Sequence, residues 1–114
     1  MHELGIVFHV IKQAEEVAEA NKVNKVCKLT LEVGQVSGIE LDYFRECFNW
    51  AIKKSKFMQE CELEIIVIEG ITYCRSCKET YKTVEHGRIC PFCGSKDTYL
   101  VVGDKVIIKD LEVV

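Results

Sequence analysis

The stretch Cys74-Arg75-Ser76-Cys77 is followed, after 12 intervening residues, by a second stretch of the same form, Cys90-Pro91-Phe92-Cys93. Each Cys-x-x-Cys pair places two thiolates within reach of one metal ion. The loop between the pairs is long enough to fold back, so that the second pair completes a tetrahedron. This spacing is typical of a structural zinc site and predicts that all four cysteines bind one zinc ion. A four-thiolate iron site of the rubredoxin type is the chemical rival, because thiolates accept both metals.

Two disulfides in a secreted module are the alternative interpretation of the same four cysteines. We find no export signal before them, and the total of seven cysteines is odd, which suits a reducing compartment better than a disulfide framework. The other three cysteines lie among apolar neighbours and are predicted to be buried free thiols: Cys27, Cys47 and Cys61. No stretch reaches the length of a transmembrane helix, so we expect a cytoplasmic protein without a membrane partner.

The charge of the chain argues against binding to nucleic acid. The formal net charge is −3, and four thiolates with one Zn²⁺ would make it more negative. A zinc ribbon that binds nucleic acid or a transcription partner is nevertheless the main alternative function for the cysteine motif. Residues 71–98 carry five Lys or Arg and three Asp or Glu, and the zinc–thiolate cluster would cancel that small positive excess. We therefore expect no nucleic-acid partner.

The hydrophobic periodicity predicts two helices and three strands. Helices are expected over residues 4–21 and 41–56, and strands over 25–33, 61–69 and 105–113. The predicted inner face of the first helix consists of its apolar residues at spacings of three and four: Leu4, Val7, Phe8, Ile11, Ala14 and Ala18. The elements predict an α+β fold, with a small sheet of about three strands, two helices on one face, and an inserted four-cysteine zinc-ribbon module.

The chain contains no motif that predicts catalysis. A filled four-cysteine site is coordinatively closed, so it neither binds substrate nor activates water. We find no glycine-rich phosphate loop, no nucleophile elbow and no Cys/His pair suggested by spacing. The sequence therefore predicts a protein that is not an enzyme.

The amino terminus, Met1-His2-Glu3, carries a second candidate metal site. A bulky second residue normally prevents removal of the initiator methionine, so we expect Met1 to keep a free amine. That amine, the amide nitrogen of His2 and the imidazole Nδ1 of His2 can close two fused chelate rings on one ion, and Glu3 could complete a planar set. Planar ligation by N and O selects Ni(II) or Cu(II). The alternative is that His2 is an exposed terminal residue without a ligand role.

Three further residues have simpler interpretations beside functional ones. His9 falls on the polar face of the first helix and is predicted to be a surface residue. His86 lies between the two cysteine pairs, where a solvated loop is favoured over a spare ligand or a sensor of nearby metal. Glu40 precedes the second helix, where it is either an acidic residue that stabilises the helix start or a carboxylate available to a second metal.

Four segments together resemble the HypA/HybF family of hydrogenase maturation factors. They are Met1-His2-Glu3-Leu4, Val33-Gly34-Gln35-Val36-Ser37-Gly38, the cysteine pairs ending in Cys93-Gly94-Ser95, and Leu111-Glu112-Val113. The resemblance runs from the first residue to the last. It depends on the combination of an N-terminal Met-His-Glu with a late four-cysteine ribbon, since either part alone is not specific.

The resemblance implies a nickel metallochaperone that works with a partner GTPase and delivers Ni(II) to the large subunit of [NiFe]-hydrogenase. It places the nickel ligands on Met1, His2 and Glu3, with Glu40 as a tentative fourth, and zinc on the four cysteines. The order of the predicted elements divides the chain into two parts: an α+β domain of residues 1–69 plus 99–114, which would carry the nickel site, and a zinc-binding module of residues 70–98. Gly5 departs from the family pattern, where we expect Ser, but this change removes no ligand.

Overall fold

The computed structural model of the chain describes residues 2–114. Residues 2–114 form three α-helices and six β-strands, with one 3₁₀ turn (Ile52–Lys54) after the second helix. In chain order the elements are α1 (Glu3–Ala20), β1 (Val26–Gly34), α2 (Leu41–Ala51), β2 (Glu62–Ile68), β3 (Ile71–Cys74), β4 (Thr80–Lys82), α3 (Thr83–His86), β5 (Thr98–Val102) and β6 (Val106–Val113). The predicted α+β class is confirmed.

The strands form two three-stranded sheets, in the orders β2-β1-β6 and β4-β3-β5. The first sheet contains the three predicted strands, and its central strand β1 buries residues on both faces, including Thr30 as well as Leu29 and Leu31. In the second sheet, β3 pairs antiparallel with both β4 and β5. The sequence had not predicted this second sheet, because its strands are only three to five residues long and β3 ends at Cys74, within the cysteine motif.

The chain divides into two compact units. Unit 1 contains the residues up to Leu31 together with Ile39–Ile66 and Ile107–Val114. Unit 2 contains Glu32–Gly38 and Val67–Val106.

The core of unit 1 is formed by α1, α2 and the sheet residues beside them. Helices α1 and α2 pack against each other, and Phe44, Phe48 and Met58 are fully buried. The predicted inner face of α1 is wrong at Leu4 and Phe8, which are exposed. The buried face is rotated, and it contains a charged residue among apolar ones: Glu3, Val7, Val10, Ile11, Ala14 and Ala18. The apolar stripe of α1 is wider than its core contact, and periodicity alone could not show which edge stays in solvent.

In unit 2, the backbone around Gly34 lies directly against the backbone around Gly103. The backbone N–H of Val36 donates to the carbonyl of Gly103 at 2.8 Å, and the N–H of Gly70 donates to Oε1 of Gln35 at 2.9 Å. A Cβ on Gly34 would lie 2.0 Å from the carbonyl oxygen of Gly103. Gly103 also has a φ of 114°, a conformation that side chains disfavour. The Val33–Gly38 stretch is thus held by backbone contacts that only glycine permits.

No α-helix among residues 2–114 is both long enough and apolar enough to span a membrane. The three cysteines outside the paired motif are free thiols, as predicted: Cys47 and Cys61 are buried, whereas Cys27 is only partly buried. Burial raises the pKa of the Cys61 thiol to about 11, so this group stays protonated at neutral pH.

Candidate metal centres

The first cysteine pair forms a hydrogen-bonded knuckle at the end of β3. The backbone N–H of Lys78 donates to the carbonyl of Cys74 at 2.9 Å, and the N–H of Cys74 donates to the carbonyl of Glu79, also at 2.9 Å. Lys78 adopts a φ of 64°, the left-handed conformation that closes the turn. This turn brings Cys77 back towards Cys74.

The second pair repeats the same turn. The N–H of Gly94 donates to the carbonyl of Cys90 at 2.9 Å, and the N–H of Cys90 donates to the carbonyl of Ser95 at 3.0 Å. Gly94 has a φ of 76° and occupies the position that Lys78 occupies in the first knuckle. The hydroxyl groups of Ser76 and Ser95 lie 2.8 Å apart and join the two knuckles directly.

The two knuckles bring the four sulfur atoms to the corners of one site. All four Sγ atoms lie within 4.8 Å of one another, and the Cys74–Cys93 and Cys77–Cys90 separations are both 3.6 Å. A tetrahedral zinc ion with Zn–S bonds of about 2.3 Å requires edges of about 3.8 Å. The predicted residues therefore fit zinc in both chemistry and distance.

The thiols of the cluster differ in how readily they lose a proton, because the pKa of Cys74 is lowered and those of Cys77 and Cys93 are raised. Backbone N–H groups, first that of Cys77 and then that of Ser76, lower the pKa of Cys74 to about 6. The N–H of Glu79 acts in the same direction on Cys77, but desolvation and the neighbouring thiols outweigh it and raise the pKa of Cys77 to about 12. Four thiolates so close together repel one another, and a divalent cation is what makes all of them stable.

A closed site of four thiolates has a structural role rather than a catalytic one. Cys74 and Cys90 are buried beside Tyr81, and this small cluster is the interior of the ribbon. The Tyr81 hydroxyl donates to the carbonyl of Gly87 at 2.9 Å, which ties the loop between the pairs to the cluster. Because so few apolar side chains are available here, the metal must supply much of the folding free energy of the ribbon.

The start of α1 carries the second predicted metal site. Met1 lies outside the described residues, so its predicted amine ligand is not seen. His2 precedes the first helical residue and is exposed, and its side chain makes no capping hydrogen bond. Its carbonyl accepts a hydrogen bond from the N–H of Ile6 at 3.1 Å. The His2 main chain is therefore held by the helix, while its imidazole faces solvent.

Glu3 is placed differently from His2. Only 6% of its surface is exposed, and its Oε2 accepts a hydrogen bond from the backbone N–H of Glu40 at 3.1 Å. This N–H lowers the pKa of the Glu3 carboxyl below its ordinary value of 4.5. The contact joins the first turn of α1 to the start of α2, and periodicity had given no sign of it.

Glu40 is the N-cap of α2. Its Oε1 accepts from the N–H of Asp42 at 3.2 Å and its Oε2 accepts from the N–H of Tyr43 at 2.7 Å. These bonds satisfy two of the backbone donors that a helix start leaves without intrahelical partners. The interpretation of Glu40 as an acidic residue at a helix start is confirmed, and its tentative role towards nickel stays a prediction.

The other two histidines lie apart from these contacts. His9 is exposed on α1, as predicted. His86 ends the short helix α3 rather than lying in an irregular loop, and its ring packs edge-on to Tyr81 with centroids 5.9 Å apart. Its Nε2 lies 3.7 Å from a carboxylate oxygen of Glu85. Among residues 2–114, the four cysteines form the one group of three or more ligand side chains close enough to share a metal ion.

Exposed side chains of α1 and α2 also form an apolar surface, and two of its residues, Leu4 and Phe8, had been assigned to the core by periodicity. Phe8 and Trp50 pack edge to face with ring centroids 6.3 Å apart, and Nζ of Lys54 lies 4.0 Å from the centre of the Trp50 ring. A shallow cavity of about 260 Å³ next to them is lined by Leu4 and Tyr43, among others. The width of the apolar stripe on α1 could have indicated this surface, because the stripe is wider than the face that α1 buries against the core.

Three comparisons with known proteins agree with one another. A family model described as "Hydrogenase/urease nickel incorporation, metallochaperone, hypA" matches residues 1–113. The "Hydrogenase maturation factor HypA" of Actinobacillus succinogenes is 34% identical over 113 residues, and that of Albidiferax ferrireducens is 33% identical; each match covers 99% of both chains. A solution structure of the Ni metallochaperone HypA from Helicobacter pylori is 24% identical with a TM-score of 0.76, over 99% of this chain and 97% of that one, and shows the same fold.

Proposed function

Because the chain belongs to the HypA family of nickel metallochaperones, which act in hydrogenase maturation, we propose that it binds Ni(II) at its first residues and hands the ion on. The observation that supports this site most directly is the exposure of the His2 imidazole on a main chain held by α1. An exposed ligand exchanges readily, whereas its anchored backbone keeps the chelate geometry available.

The proposed ligand set is the Met1 amine, the His2 amide nitrogen, the His2 imidazole and an atom of Glu3. The Glu3 carboxylate already accepts a hydrogen bond from the backbone N–H of Glu40. We therefore propose that Glu3 binds nickel through its backbone nitrogen. That nitrogen belongs to the first residue of α1, where N–H groups have no partner in the preceding turn. Glu40 remains the candidate for a further ligand, since its own backbone is bonded to Glu3.

The zinc ribbon is proposed to act through its shape and not through chemistry. We propose the division stated above, with a nickel-binding domain of residues 1–69 plus 99–114 and a zinc-binding module of residues 70–98. The hydrogen bonds of the two knuckles support a rigid module, because each cysteine pair is held by its own turn. A rigid module can present a constant surface to a partner while nickel is exchanged elsewhere.

The proposed action is transfer without catalysis. We infer that the chain is not an enzyme, and that its partners are the nickel-inserting GTPase of the maturation pathway and the large subunit of [NiFe]-hydrogenase. The cytoplasm is the proposed location. Seven unpaired thiols suit that reducing compartment, in which zinc thiolates persist.

The test compares nickel binding at a native and a blocked amino terminus. Ni(II) is titrated by calorimetry and absorbance into zinc-loaded protein with its native Met1, into the same protein with a short N-terminal extension, and into His2→Ala. We expect about micromolar or tighter binding (near −8 kcal/mol) only for the native terminus. The extension removes the free amine and His2→Ala removes the imidazole, so each should weaken binding by about 100-fold or more.

His9→Ala is the matched control, because His9 is an exposed histidine on the same helix. It should bind nickel as the native protein does, with an unchanged zinc content. Equal nickel binding by the native, extended and His2→Ala proteins would place the site elsewhere and overturn the proposal.

A further inference from the structure

Unit 2 contains a cleft of about 590 Å³ that neither the zinc site nor the proposed nickel site uses. Its size falls within the range of small-molecule pockets in proteins. Arg88 and Lys96 line it, together with three threonines and the apolar residues Val36 and Leu100. Among the described residues that line it, none is acidic.

The two cations of the cleft have no carboxylate partner. Of the other Lys and Arg residues of unit 2, Arg75 lies 4.0 Å from Asp97 and Lys82 lies 3.8 Å from Glu69. Lys78 and Lys105 have no ion pair within residues 2–114 and do not line the cleft. Within residues 2–114, no ion pair involves Arg88 or Lys96. In a protein of net charge −3, two unpaired cations beside one cleft form a local positive site.

The wall of the cleft is held by hydrogen bonds. Oγ1 of Thr98 donates to the carbonyl of Arg88 at 2.8 Å, and the Tyr81 hydroxyl donates to the carbonyl of the preceding Gly87. These bonds attach the segment that carries Arg88 to the second sheet. The cation is therefore presented from a supported backbone, although its side chain is exposed.

A pair of threonine hydroxyls lines the same cleft. Thr72 is almost completely buried, and its Oγ1 lies 2.7 Å from Oγ1 of Thr83. One hydroxyl donates to the other, which leaves the second hydrogen of the pair free to donate to a ligand oxygen. Cations together with hydroxyl donors are the groups that bind phosphate oxygens in proteins.

We propose that this cleft binds a small organic phosphate, with Arg88 and Lys96 holding the phosphate group and the apolar residues Val36 and Leu100 lining the space for the organic body. A phosphate monoester carries a charge of about −1.5 to −2 at neutral pH, which matches two cations better than a single carboxylate does. Inorganic phosphate alone would leave most of the cleft unfilled. This inference is independent of nickel binding.

The test follows backbone amide signals of the full, zinc-loaded chain by NMR during titration with phenyl phosphate to about 10 mM, which detects even millimolar affinity. We expect saturable shifts centred on Thr72, Thr83 and Thr98. Arg88→Gln and Lys96→Gln should each weaken binding by about fivefold or more, because each removes a charge-assisted contact. Both residues are exposed, so the variants should retain zinc and an otherwise unchanged spectrum.

Lys105→Gln is the matched control, since it removes one exposed positive charge from the same unit outside the cleft. It should change the affinity by less than about twofold. Inorganic phosphate lacks the aromatic ring, and benzoate lacks the second negative charge. Both should therefore bind more weakly than phenyl phosphate. The proposal is overturned if no saturable shift occurs, if the cleft variants bind like Lys105→Gln, or if either smaller probe binds as tightly as phenyl phosphate.

Discussion

The four-cysteine cluster and the start of α1 hold their candidate metal ligands in opposite ways. In the cluster, two hydrogen-bonded knuckles bring all four sulfurs within 4.8 Å of one another, and two of the cysteines are buried. At the start of α1, the His2 side chain is exposed, and the anchoring contact is made by its neighbour Glu3. The first arrangement suits an ion that stays as part of the fold, and the second suits an ion that is passed on.

The largest expected effect comes from breaking the cluster. Cys74→Ser removes a buried zinc ligand, so bound zinc should fall from about one ion per chain to none, and unit 2 should lose its ordered amide signals. Unit 1 has a core of its own that contains none of the four clustered cysteines, so it should stay folded. Trp50, the single tryptophan, lies in unit 1 and reports on it by fluorescence.

Cys27→Ser is the control for loss of a thiol, because Cys27 lies outside the cluster. It should leave zinc content unchanged. If Cys74→Ser abolished the native Trp50 fluorescence as well as the zinc, the metal would be needed by the whole chain and not by the ribbon.

A smaller effect is expected at the anchoring contact of α1. Glu3→Ala removes the acceptor for the Glu40 N–H and should lower the melting temperature by a few degrees, whereas Glu3→Gln keeps an acceptor and should lower it less. The measurement is thermal unfolding of the zinc-loaded, nickel-free variants. Glu16→Gln, a change at an exposed position of the same helix, should have no effect.

The pH dependence of the Glu3→Gln effect gives a further check. The folded-state pKa of Glu3 is lowered, so its charge contributes stability above the ordinary value of 4.5, and this contribution is lost as pH falls through the lowered pKa. The difference in melting temperature between the native protein and Glu3→Gln should therefore shrink on acidification. A difference that stayed constant with pH would show that the Glu3 charge is not involved.

The smallest expected effect is a difference in stability between substitutions at equivalent positions of the two knuckles. Lys78 and Gly94 occupy equivalent left-handed positions, yet only glycine adopts that conformation without strain. Lys78→Gly should raise the free energy of unfolding of unit 2 by up to about 1 kcal/mol, and Gly94→Ala should lower it by about 1 kcal/mol. A Cβ on Gly94 meets no atom within 4 Å, so the second change tests backbone strain alone. Urea unfolding followed by unit 2 amide signals measures both, and equal signs would contradict the equivalence of the turns.

The comparison of the two regions also separates what could be predicted from what could not. The cysteine spacing correctly predicted that the four cysteines come together, because the approach of four side chains within 20 residues of one another depends mainly on local turns. The three long strands and both long helices were predicted to within one residue at most ends, because each has a clear hydrophobic period. The main boundary error was α2, which stops at Ala51 and continues as a 3₁₀ turn rather than as helix to residue 56.

The sequence by itself determined which residues are candidates for metal binding, since Cys-x-x-Cys pairs and the Met1-His2-Glu3 segment place their candidate ligands close together in the chain. Only the tertiary structure decided that Glu3 is buried against the Glu40 N–H, that Leu4 and Phe8 are left in solvent, and that Arg88 and Lys96 line one cleft. These three facts depend on contacts between elements distant in the chain. Residue type and periodicity do not predict such contacts, because the same amphipathic pattern is compatible with several packing angles between helices.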